Sequence, residues 1–252
     1  MDKLYSILTN GEKKIAILID PDKMNREDDL LPLIERLTFL RPSFLFIGGS
    51  SVDKEDFDSC IRIVKNKTDL PLVIFPGSHQ QINENADGLL FLSLISGRNP
   101  DFLIGHQVEA AHLLKKLPIE IIPTGYLLID GGKTTSVSYI SQTNPIPRNQ
   151  NTIAVNTVIA GEMLGLKAIF MDAGSGADFC VNESMIKAVK MNTQLPIIVG
   201  GGIKSIDGIE TAHNAGADVV VIGNKIEENI DFLLDIKSYL VHLNKKNVPH
   251  EN

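Results

Sequence analysis

Eight short apolar runs recur along the chain, each ended by Gly, Pro, Ser or Asp, at 15–20, 44–50, 72–77, 88–97, 120–130, 168–174, 196–202 and 219–224. Several are apolar at consecutive positions, the pattern of strands buried on both faces in a parallel sheet. Helical spacing separates most of them. Asp53 is placed to cap a helix carrying Phe57, Cys60, Ile61 and Val64 on one face. Ser205 caps another, with Ile206, Ile209 and Ala212 inward and Gly216 as its stop. Met185, Ile186 and Val189 mark a third, and Ile230, Leu233, Leu234 and Leu240 the last. Strand then helix, repeated, predicts an α/β fold, a single (β/α)8 TIM barrel forming one domain over 1–252. One unit is irregular. Only about ten residues separate Gly77 from Gly88, too few for a crossover helix with its loops, so the third helix is expected to be shortened or missing. The segments 85–97 and 214–224 share an Ala-Asp approach to a strand, a weak echo of half-barrel duplication.

Composition narrows the function classes. A formal net charge of -7 argues against nucleic acid as a partner, because a phosphate backbone needs a basic face. No apolar run approaches the ~18 residues that would indicate a membrane span, and 1–14 lacks a signal-peptide core. Peripheral contact with a lipid surface stays open. Cys60 and Cys180 form no metal or disulfide pattern, which suits a reducing, cytoplasmic setting.

The chemistry concentrates at the expected C-terminal strand ends. Three glycine clusters follow strands six, seven and eight: Ala173-Gly174-Ser175-Gly176, Gly200-Gly201-Gly202 and Gly223-Asn224. Glycines let the backbone approach an anion and aim several N–H groups at it, and barrels often hold phosphate at their last loops. Tight βα turns are the plainer reading of any one cluster. Strand one ends Asp20-Pro21-Asp22-Lys23 and strand two ends Gly48-Gly49-Ser50-Ser51. Asp20 and Ser50 at neighbouring tips suit a hard cation such as Mg2+; a proline turn shaped by Asp20 and Asp22 is the alternative. Asp172 precedes the first glycine cluster and is a candidate proton acceptor or a turn cap. Tyr126 is expected to line the pocket. Arg98, Lys133 and Arg148 together could meet a diphosphate. His79 and His106 stand isolated and receive no catalytic role. The polar stretch 130–151 reads as a functional loop over the mouth. Extra apolar length in Leu90, Leu92, Leu94, Ile95 and Leu127–Ile129 hints at a greasy groove.

Ile-Asp-Pro-Asp-Lys at 19–23, Phe-Ile-Gly-Gly-Ser at 46–50, Tyr126 with Leu127-Leu128-Ile129, Met-Asp-Ala-Gly-Ser-Gly-Ala at 171–177, Gly-Gly-Gly-Ile at 200–203 and Gly-Asn at 223–224 occur in order. This set resembles the geranylgeranylglyceryl phosphate synthase family, which includes the bacterial PcrB-like proteins, over about 14–240. Gly-Gly-Lys-Thr-Thr-Ser-Val at 131–137 resembles its shared bacterial and archaeal branch. The resemblance implies a prenyltransferase that joins sn-glycerol 1-phosphate to a polyprenyl diphosphate, geranylgeranyl diphosphate or a similar one, through an ether bond. By position it implies Asp20 and Ser50 as Mg2+ ligands. It implies Phe170, Met171, Asp172, Ala173, Gly174, Ser175, Gly176, Gly201, Gly202, Gly223 and Asn224 as the glycerol phosphate site. It further implies a homo-oligomer, dimer or hexamer, and an altered third helix. Leu18 stands where one branch has Lys, and Phe170 and Asp172 stand where the family often has Tyr and Glu. Other readings are a sugar-phosphate isomerase, a thiamine-phosphate-synthase-like enzyme, or a non-catalytic barrel that binds a phosphorylated ligand.

Overall fold

Every residue of the strand Ala168–Asp172 is buried, and its side chains alternate between two separate apolar clusters. Ala168 and Phe170 join a lumen cluster with Ala16, Phe46, Val73 and Ile198. Ile169 and Met171 join a larger outer cluster against the helices. A strand with apolar residues on both faces has nowhere stable to sit but between two layers, and here the sheet closes on itself. In the computed structural model, which describes residues 3–24, 26–50 and 52–246, eight parallel strands pair in sequence order into a closed barrel. Ser51 lies outside the described residues.

The order is α1 (Lys3–Leu8), β1 (Lys14–Ile19), α2 (Glu27–Leu40), β2 (Phe44–Ile47), α3 (Lys54–Lys67), β3 (Leu72–Ile74), β4 (Gly88–Ser93), α4 (His106–Leu114), β5 (Glu120–Leu128), α5 (Ser136–Ser141), α6 (Asn151–Met163), β6 (Ala168–Asp172), α7 (Glu183–Lys190), β7 (Ile197–Gly200), α8 (Ile206–Ala215), β8 (Val219–Ile222), α9 (Asn224–Glu228) and α10 (Phe232–Lys246). The expected caps are present. Asp53 accepts from the Glu55 amide, Ser205 accepts from the Gly208 amide, and Gly216 ends α8 at φ 121°. Among the described residues no helix is long and apolar enough to cross a membrane.

Two features set the barrel's two ends apart. Helix α1 closes the N-terminal end: Leu4 and Leu8 enter the lumen cluster, and the Glu120 carboxylate accepts from the Leu4 and Tyr5 amides at 2.7 and 2.8 Å. A carboxylate at a helix N-terminus satisfies orphan donors and meets the positive dipole end. At the other end the β3–β4 connection, 75–87, contains no helix. It is held by buried Gln81, which accepts from the Gly77 amide at 2.9 Å and donates to the Gly49 carbonyl at 2.8 Å. The stretch 130–151 is not a bare loop. Thr135 and Ser138 form a capping box for α5, and Ile129 bridges to Ile146.

Candidate active site

The turns after β6, β7 and β8 meet at the barrel mouth. Gly174, Gly176, Gly201 and Gly202 have φ of 90°, 67°, 80° and 70°, the left-handed region that a side chain disfavours. A Cβ on Gly201 would lie 2.6 Å from both Asp172 Oδ1 and the Gly174 nitrogen, so the β7 turn approaches β6 only as glycine. Asn224 ties β8 to β6: its Oδ1 accepts from the Ser175 hydroxyl at 3.0 Å and from the Gly176 amide at 3.1 Å. An oxygen acceptor from the β8 turn thus already sits against two donors of the β6 turn. Among the described residues no acceptor takes the N–H groups of Gly202, Gly223 or Asn224. Lys133 Nζ lies 3.5 Å from the space a Gly176 side chain would fill, which adds a positive charge to the same corner.

Asp172 sits below these turns with its carboxylate buried. It accepts from the Tyr126 hydroxyl through Oδ2 and from the Gly174 amide through Oδ1, at 2.8 Å for the latter. Burial raises the Asp172 carboxyl above its usual range, and the two hydrogen bonds offset this only in part. Burial, with Asp172 alongside, pushes the Tyr126 phenol well above its ordinary value, so Tyr126 stays a donor. Phe170 stacks on Phe75 with ring centroids 4.7 Å apart and leans on Tyr126, making an aromatic floor.

Across the mouth, Asp20 lies against the β2 turn; a Cβ on Gly49 would meet its Oδ1 at 2.7 Å. Burial raises the Asp20 carboxyl, and Lys23, 3.6 Å away, offsets this incompletely. Asp20 and Ser50 line the same cavity. A half-buried carboxylate and a hydroxyl that line one cavity are oxygen donors of the kind a hard cation that retains waters takes. The donor set therefore fits Mg2+.

One cavity of about 730 Å³ joins these parts. Its polar end holds Asp20, Ser50, Asp172, Gly176, Gly202 and Asn224. Its other end is an apolar trench of Ile82, Leu89, Phe91, Phe102, Ala110 and Leu114. Leu89 belongs to the outer, helix-side cluster, so the trench leaves the lumen and runs where the third crossover helix would lie.

Residues 9–239 match the PcrB family. The chain belongs to that family. A geranylgeranylglyceryl phosphate synthase of Chitinophaga pinensis is 48% identical over 226 residues, covering 90% of this chain and 89% of that protein. The crystal structure of (S)-3-O-geranylgeranylglyceryl phosphate synthase from Thermoplasma acidophilum, in complex with sn-glycerol-1-phosphate, superposes with a TM-score of 0.88 at 32% identity, covering 96% of this chain and 98% of that one. A thiamine phosphate pyrophosphorylase from Pyrococcus furiosus shares the fold alone, at a TM-score of 0.59, 9% identity and coverage of 97% and 100%.

Within this PcrB-family barrel the expected site residues separate into two groups. Tyr126, Phe170, Asp172, Ser175, Gly176, Gly201, Gly202, Gly223, Asn224, Asp20 and Ser50 all line the cavity. Met171 and Ala173 do not. The two-residue strand period turns their side chains to the helix layer, and the Ala173 amide is spent on the Gly200 carbonyl. Gly174 lies beneath the mouth, where a side chain would strike Thr135 at 2.5 Å. Of the three basic candidates only Lys133 reaches the cavity. Arg148 stacks on Phe179 at 4.5 Å, and Arg98 donates to the Gly97 carbonyl. Of the apolar candidates Leu92 and Leu94 line the cavity, while Leu127 and Ile129 face the helices. Phe75 and the α4 side of the trench escaped the sequence reading; Ala110 and Leu114, one turn apart, were the signal for the latter.

Proposed function

We propose that the chain is a geranylgeranylglyceryl phosphate synthase, joining the 3-hydroxyl of sn-glycerol 1-phosphate to C1 of geranylgeranyl diphosphate or a similar polyprenyl diphosphate. The observation that carries this reading is the single cavity in which converging glycine turns open directly onto an apolar trench. A phosphate sugar enzyme needs the first but not the second.

The turn amides and Lys133 hold the phosphate of glycerol phosphate, an anion at preorganised backbone donors. Its hydroxyl then lies over Asp172. Tyr126 and the Gly174 amide orient that carboxylate, and its raised proton affinity suits it to take the hydroxyl proton as the new C–O bond forms. The C1–O bond to diphosphate breaks, and its electron pair leaves with the diphosphate. Phe75, Phe170 and Tyr126 face the positive charge that develops at C1 with π clouds rather than water. The prenyl chain runs down the trench between β3–β4 and α4. Asp20 and Ser50 would hold Mg2+, which when bound neutralises charge on the departing diphosphate.

Incubation with Mg2+, labelled sn-glycerol 1-phosphate and prenyl diphosphates of several lengths tests the proposal. A lipid-soluble labelled product supports it. Phosphate-ligand binding without turnover would point instead to a binding protein. Asp20→Asn is expected to abolish Mg2+-dependent turnover while the far-ultraviolet circular dichroism stays unchanged; full turnover in that variant would reject the metal assignment.

A further inference from the structure

Two histidines that stand 27 residues apart in sequence come together beside the trench. His79 belongs to the helix-free connection 75–87, and His106 opens α4. Their ring centroids are 5.2 Å apart. Glu109 lies one helical turn after His106, so both project from the same side of α4, and its Oε2 is 2.9 Å from His79 Nδ1. That contact is off-line for a hydrogen bond, and His79 Nδ1, shut off from solvent, has no other partner among the described residues. The nitrogens of His106 also find no hydrogen-bond acceptor there; its ring packs against those of Phe102 and His79.

We propose that His79, His106 and Glu109 form a site for a borderline transition-metal ion, Zn2+ being the best match. One donor atom from each residue lies within 4.8 Å of the other two. Ligands of a tetrahedral zinc ion, at Zn–N of ≈ 2.0–2.1 Å, stand about 3.4 Å apart, so side-chain adjustment of about an ångström closes the set around an ion. Two imidazoles and one carboxylate select zinc or its neighbours over Mg2+, which prefers oxygen donors throughout. Three protein ligands leave a fourth position for water. Both histidines line the cavity, so the ion would sit in the trench wall and fasten the connection 75–87 to α4. This site is separate from Asp20 and Ser50 and does not rest on the transferase reading.

The test is calorimetric titration of the tag-free, EDTA-treated full chain with ZnCl2, with MgCl2 as competitor. One equivalent of zinc is expected to bind, undisplaced by Mg2+. Each of His79→Ala, His106→Ala and Glu109→Gln should weaken binding by more than about 100-fold, since loss of outer-shell partners alone costs 10–100-fold. His112→Ala, at an exposed histidine of the same helix outside the cluster, should leave binding unchanged. Glu109 is largely exposed, so Glu109→Gln removes a ligand without disturbing the core. Zinc should also slow amide exchange across 75–87 in the parent chain and not in Glu109→Gln. No bound zinc, equal binding by Glu109→Gln, or loss of binding in His112→Ala would each overturn the proposal.

Discussion

Just before β4, Asp87 accepts a hydrogen bond from the Leu72 amide of β3 at 2.7 Å and pairs with Lys65 of α3 at 2.9 Å. Just before β8, Asp218 accepts from the Ile197 amide of β7 at 2.8 Å and pairs with Lys190 of α7 at 2.8 Å. The two corners, half a barrel apart, are built the same way at the N-terminal face. At the C-terminal face they part. The β7–β8 corner ends in glycine turns and a short helix at the polar end of the cavity, whereas the β3–β4 corner loses its helix and opens an apolar trench. The bottoms serve the fold and the tops serve the ligand, the division of labour expected of barrels. A hydrophobic substrate needs a long apolar surface, and deleting a crossover helix supplies one without altering strand pairing.

The sharpest way to break this contrast lies at the polar top. Gly201→Ala places a methyl 2.6 Å from Asp172 Oδ1 in a left-handed conformation. Steady-state kinetics should show kcat/KM for glycerol phosphate lower by on the order of 10²-fold, as a misplacement of about an ångström can cost. An unimpaired variant would mean that the turns do not hold the substrate.

A buried histidine at the β7–β8 corner makes stability depend on pH. His213 of α8 is buried, and its ring nitrogens contact the Tyr239 hydroxyl at 2.7 Å and the Lys14 carbonyl at 3.0 Å. A carbonyl only accepts, so Nε2 carries the proton and Nδ1 accepts from Tyr239. Burial depresses the ring to about 4. The folded state therefore binds its proton later than the unfolded chain, near 6.5. Stability present above pH 6.5 should fall by about 3 kcal/mol as pH drops toward 4. Denaturant melts across that range should show the loss, and His213→Gln should flatten it.

Third, Asp87→Asn and Asp218→Asn should each lower stability by about 1.5–3 kcal/mol, the worth of hydrogen bonds to a charged group, with kcat/KM little changed. Chemical denaturation measures both, and a large disparity between them would undo the structural equivalence. Last, Ala110→Phe should fill the trench, shift preference toward shorter prenyl diphosphates, and leave KM for glycerol phosphate within about twofold, because binding at distant, independent sites is nearly additive.

Much of this was legible in the sequence because the signals were local. Strand runs ended by glycine, caps at Asp53 and Ser205, and ten residues in place of a helix needed no tertiary knowledge. The turns at the mouth were legible where they depended on backbone type, as in the left-handed conformations of Gly201 and Gly202. Which side chains face the mouth was not legible where strand period decides it: Met171 and Ala173, one residue either side of Asp172, pack in the helix-facing cluster. Contacts between distant segments left no local trace. Phe75 on Phe170, Tyr126 on Asp172, and His79 beside His106 exist only because the barrel closes and the third helix is absent.

The most direct measurement is a crystal structure of the chain with sn-glycerol 1-phosphate. The phosphate oxygens are expected about 2.7–3.2 Å from the amides of Gly202 and Asn224, with a free hydroxyl in hydrogen-bond reach of Asp172. A phosphate bound in the β3–β4 trench, or turns that leave the ligand unheld, would contradict the account.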